Sequence, residues 1–196
     1  MNEIASTDQR FIDYLESLVN NKDRGAIANL RRGLGKPPGT VPQMDRYVLK
    51  FFSEEDKVER MWLYYLVASL FAFWYQGKDE VISDPPANLG YSLRVLVDRE
   101  ATADNRNEIE DRIEKRLVAL LNCHRDDLPQ HLRQIVSLLK ARDVPVNWRQ
   151  LLSDIKHWER DDRRVQKEWA KSFWVGFRQD KTGEDAQDKI SANKAE

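Results

Sequence analysis

The sequence predicts an all-α protein built as two small helical bundles in series. Three observations lead there. Apolar residues recur at helical spacing in one stretch after another. No strand-length run of alternating β-formers interrupts them, and no internal repeat is visible. Residues of the helix-capping type, such as Asp23, Asn88, Asn105 and Asn147, stand just ahead of the apolar stripes.

Taken in order, Thr7 or Asp8 is expected to cap a first helix reaching about Asn20, with Phe11, Leu15, Leu18 and Val19 on one face. Asp23 caps a second helix from Arg24, turning Ile27, Leu30 and Leu34 inward. Met44, Tyr47, Val48 and Phe51 form a short stripe after a proline-rich loop. Ser53, Glu54, Glu55 and Asp56 read as a helix start, with acids at the positive end of the dipole. The helix that follows, to about Gln76, is the core of the first half and carries Trp62, Tyr65, Leu66, Leu70 and Phe73. Its apolar run is shorter than the ~20 residues a membrane span needs.

Asn88 is expected to cap a helix to about Arg99, and 101–105 reads as a weak linker. The boundary between an N-terminal bundle (1–103) and a C-terminal bundle (104–179) is placed there. The second bundle opens at Asn105, with Ile109, Ile113, Leu117, Leu120 and Leu121 inward. Pro129 sits in the first turn of the next helix, which buries Leu132, Ile135, Val136 and Leu139. Pro145 breaks the chain and Asn147 caps again, ahead of Leu151, Leu152, Ile155 and Trp158. Asp161 or Asp162 starts the last helix, with Val165, Trp169, Ser172 and Phe173 on its inner face. The polar segment 180–196 is expected to be disordered.

Composition narrows the function. Charged residues make up 33% of the 196, yet the net charge is −1. A free-standing nucleic-acid binder is usually basic overall, so any such role needs a segregated basic face or a larger assembly. One cysteine gives no disulfide framework and fits a reducing cytoplasm. The N-terminus has no signal-peptide pattern. Cys123 and His124 are neighbours that point about 100° apart on a helix, which makes no catalytic dyad. The spacing of Cys123, His124 and His131 is wrong for a structural zinc site, and no positioned nucleophile, base or metal set is visible. No enzyme and no cofactor are therefore expected.

The stretch 30–46, LRRGLGKPPGTVPQMDR, admits three readings. A nucleotide-binding P-loop fails, because Lys36 precedes Pro37 rather than Ser or Thr, and a helix rather than a strand comes before. A helix C-terminus with cations matched to the dipole is one sound reading. The other is a stiff loop presenting Arg31, Arg32 and Lys36 to a phosphate backbone. In the second half Arg133, Lys140 and Arg149 lie off the apolar stripes, and Arg142 ends its helix. Arg163, Arg164, Lys167 and Lys171 form a strip on the last helix, for which a solvated face with i,i+4 pairs such as Arg164–Glu168 is the plainer account. Among the tryptophans, Trp62, Trp148, Trp158 and Trp169 fall on apolar stripes. Trp74 and Trp174 do so less cleanly and are the candidates for a partner surface.

The motifs Arg31-Arg32-Gly33-Leu34-Gly35-Lys36 with Pro37-Pro38-Gly39, Asn88-Leu89-Gly90, Asp127-Leu128-Pro129 with His131-Leu132-Arg133, Val144-Pro145-Val146-Asn147-Trp148, and Asp162-Arg163-Arg164-Val165-Gln166 with Trp169 run in order along the chain. Together they resemble the CasB family, the small subunit of the type I-E CRISPR Cascade complex. Tyr91 departs from the pattern, standing where many relatives carry a basic residue. The resemblance implies a non-catalytic, cytoplasmic subunit assembled with a Cas7-type backbone, a large subunit, crRNA and usually a second copy of itself. It implies a basic face that helps hold the displaced non-target strand once guide and target DNA have paired, by backbone contact without base readout. The residues expected to carry this are Arg31, Arg32, Lys36, Arg133, Lys140 and Arg142, with Arg163, Arg164 and Lys167 next. A helical adaptor with no nucleic-acid contact is the alternative.

Overall fold

The computed structural model describes residues 6–53 and 58–176. Among them the regular structure is helical throughout, without a strand. The α-helices are α1 (Thr7–Asn20), α2 (Arg24–Arg31), α3 (Asp45–Val48), α4 (Val58–Trp74), α5 (Leu89–Glu100), α6 (Arg106–Leu121), α7 (Leu128–Ala141), α8 (Trp148–Lys156) and α9 (Arg164–Trp174). The helix start expected over Glu54, Glu55 and Asp56, and the tail at 180–196, lie outside the described residues.

Short polar side chains start several of these helices by accepting a free backbone N–H. Asp23 accepts from Ala26 N at 2.9 Å, Asn88 from Tyr91 N at 3.0 Å and Asn147 from Gln150 N at 3.0 Å. Three starts differ from expectation. Ser6 rather than Thr7 or Asp8 caps α1, accepting from Gln9 N at 3.2 Å. Asp8 is instead taken up by Tyr64 and Lys156, a tertiary demand its local sequence does not show. Asn105 turns its side-chain Oδ1 back to accept from Thr102 N at 2.7 Å, so the side chain closes the linker turn rather than capping the helix. The residue ahead of α9 is Arg163, in left-handed backbone (φ 49°), while Asp162 accepts from Arg164 N at 3.1 Å.

α4 is the axis of the molecule. Residues 63–72 along it are buried on every side, because α2, α3, α7 and α8 all pack around it. This geometry corrects the expectation for Trp74, which is fully buried and donates from Nε1 to Val144 O at 3.1 Å. On a helix enclosed all round, leaving one stripe means meeting another neighbour rather than solvent. Trp174, at 46%, is exposed beside Val175.

The linker expected at 101–105 is an irregular stretch between α5 and α6. Helices from either side of it interlock: α8 packs on α1 and α4, and α9 packs on α5. Their apolar faces join one buried cluster. The α5–α9 crossing is close enough that a Cβ on Gly90 would fall 2.0 Å from the Trp169 carbonyl oxygen.

Candidate nucleic-acid interface

The loop after α2 is held open by its own backbone. Leu34 N donates to Arg31 O and Lys36 N to Gly33 O, both at 3.0 Å, and Pro37 O accepts from the Thr40 hydroxyl at 2.6 Å. Gly35 takes positive φ (75°), and its missing side chain leaves room for a cation: a Cβ there would lie 2.3 Å from Nη1 of Arg133. The loop is thus laid against α7 with the Arg133 guanidinium across it.

Between loop and helices runs a cleft of about 880 Å³. Lys36 from the loop, Arg133 from α7 and Arg116 from α6 bring three cations to it, and Trp62 of α4 lines it. Its one acidic lining residue, Asp126, is largely exposed and lies 3.5 Å from His124. Among the described residues none of the three cations has a carboxylate partner. Arg32 stands exposed at the end of α2, and Arg31 is half-buried. Arg31 lies near Lys140, whose pKa is lowered by desolvation first and by Arg31 and Lys78 after it.

The other expected contacts, Lys167 apart, are engaged within the protein. Lys140 donates to Phe73 O and sits 4.4 Å from the Phe73 ring centre, so its charge closes the C-terminal end of α4. Arg142 pairs with Glu100 at 2.8 Å. Arg163 donates to Leu121 O at 2.6 Å and closes the end of α6. Arg164 pairs with Glu168 at 3.5 Å, and Arg149 with Asp13 at 2.5 Å and Glu16 at 2.6 Å. Lys167 and Lys171 are exposed on α9 without a carboxylate partner among the described residues. Arg116 escaped the sequence reading, although it sits one residue before Leu117 on the edge of the α6 stripe, where side chains reach around the rim. Trp62, expected in the core, is only half-buried.

Residues 26–174 match the family described as CRISPR-associated protein Cse2. The chain belongs to that family.

The Cse2 protein of Thermus thermophilus is 31% identical over 171 residues, covering 86% of this chain and 90% of the relative. The crystal structure of CasB from Thermus thermophilus superposes with a TM-score of 0.67 at 31% identity, covering 87% of this chain and 99% of the other. A chain of a CRISPR RNA-guided surveillance complex superposes with a TM-score of 0.64 at 26% identity, covering 87% and 92%.

Several residues of the ordered motifs are tied into the framework. Pro145 O accepts from Ser92 Oγ at 2.9 Å, tying the 144–148 segment to α5. Gln166 Nε2 donates to Trp158 O at 2.7 Å, and Trp169 Nε1 to Asp154 at 2.6 Å. Cys123 has its thiol pushed up to about 11 by burial and by Asp127, away from thiolate. Among the described residues no group of three His, Cys, Asp or Glu is arranged to hold a metal, and no helix is long and apolar enough to cross a membrane.

Proposed function

We propose that this chain is the non-catalytic small subunit of a crRNA-guided Cascade complex, where it binds nucleic-acid backbone without sequence preference and steadies the displaced non-target strand. Its partners would be the Cas7-type backbone, the large subunit, the guide RNA, the target DNA and a second copy of itself. The observation that carries the nucleic-acid part is the convergence of Lys36, Arg116 and Arg133 on one cleft, with no carboxylate spent on them among the described residues. Guanidinium groups held on rigid elements grip phosphate at little entropic cost, and each neutralised phosphate releases a counterion. Arg31 and Arg32, just ahead of the same loop, would extend the track.

The adaptor reading draws on the inward commitments of Lys140, Arg142, Arg149 and Arg163 and on the net charge of −1. R-loop retention by the assembled complex separates the two. A Lys36/Arg116/Arg133 triple alanine variant should assemble with guide RNA yet release the displaced strand sooner, with the deficit widest at low salt. Retention equal to wild type across the salt range would favour the adaptor.

A further inference from the structure

We infer that the cleft receives an unstacked base of a single strand, with Trp62 as its stacking surface. This rests on the phosphate-binding reading of the same cleft and goes one step further. A site that binds phosphates alone needs outward-facing cations, and a convex helix face supplies them. Here the cations stand around a recess of about 880 Å³. An indole lines that recess, although Leu63, Tyr64 and Leu66 beside it on α4 are buried. The Arg125 guanidinium carbon lies 5.1 Å from the Trp62 ring centre, so a cation already borders the ring, as in aromatic sites that take bases.

The α7 wall fits the same ligand. Gln130, Gln134 and Ser137 line the recess in a row at i, i+4 and i+7. Among the described residues none of their side chains makes a hydrogen bond, so donors and acceptors are at hand for a base edge. Asp126, the acid of the lining, can accept from a base amino group. Bases in a duplex are stacked and paired and cannot enter such a recess, so the cleft selects single strand.

The test compares binding of the full chain to a short oligothymidylate and to an abasic deoxyribose-phosphate strand of equal length. Stacking predicts a preference of roughly 5- to 150-fold for the strand with bases. Trp62→Leu should abolish that preference while keeping abasic binding, and Trp62→Phe should keep most of it. Lys36→Ala with Arg133→Ala should weaken both strands alike. Should Trp62→Leu lose the abasic strand as well, the wild-type preference together with quenching of Trp62 emission (wild type minus Trp62→Phe) decides. Equal, salt-sensitive binding of both strands overturns base insertion and leaves the phosphate reading standing. Absence of binding to either strand at low salt overturns the phosphate reading itself, and base insertion falls with it.

Discussion

Gly90 lies where α5 meets α9, with the Trp169 carbonyl oxygen 2.0 Å from the position a Cβ would take. The obstacle is backbone, which cannot swing aside as a flexible side chain would. Gly90→Ala should therefore cost about 1–3 kcal/mol through overpacking, read as a melting point lower by several degrees. An unchanged melting point would show that the two helices are not so tightly joined. The asparagine two residues earlier was legible as a cap; the glycine's partner was not, because Trp169 is far along the chain and no local pattern announces a helix crossing. A second residue-scale effect is electrostatic. Burial raises the pKa of Asp8, but the hydrogen bonds from Lys156 and Tyr64 and the charges of Lys156 and Arg60 outweigh it, and the net shift is downward. A carboxylate with a depressed pKa adds stability above its unfolded value and loses it as pH falls through the folded one. Asp8→Asn should thus be less stable than wild type at neutral pH in chemical denaturation, and the gap should close as pH drops below about 3.8. A constant gap at all pH values would remove the ion pair from the account.

At the scale of elements, the positive residues of α7 and α9 divide by what lies across from them. Helical spacing places Arg133, Lys140 and Arg142 correctly on or beside α7, but it cannot say which of them meets a carbonyl end or a carboxylate from another helix. Lys140 closes α4, Arg142 meets Glu100, and Arg163 closes α6. Only the fold supplies those partners. The same reasoning explains Trp74, whose position off the stripe faces Val144 rather than solvent. It also explains Arg116, which reaches the cleft because α6 and α7 lie side by side. A paired comparison follows. Arg163→Ala should cost about 1 kcal/mol of stability, since a charge-assisted bond to a helix end is lost, and leave oligonucleotide binding unchanged. Arg133→Ala should do the reverse. Binding loss in Arg163→Ala without loss of stability would return Arg163 to the interface.

For the whole molecule, the all-helical class, the positions of most helices and the family were readable from periodicity, caps and ordered motifs, since these are local in the chain. What was not readable is how α8 and α9 fold back onto α1, α4 and α5, which depends on side chains far apart in sequence. The cleft is likewise a product of the fold, for its walls come from the loop after α2 and from α4, α6 and α7. A nearly neutral protein can then offer anions a local positive site, while much of its remaining positive charge is balanced by its own carboxylates. The most direct test is the dependence of single-strand affinity on salt, measured for wild type, for Lys36/Arg116/Arg133 triple alanine and for Arg142/Arg163/Arg164 triple alanine. The account predicts a slope of log K against log salt shallower by about 2 for the first variant, at ~0.7 per phosphate, and unchanged for the second. Equal slopes for wild type and the cleft variant, or an equal loss in both variants, would contradict it.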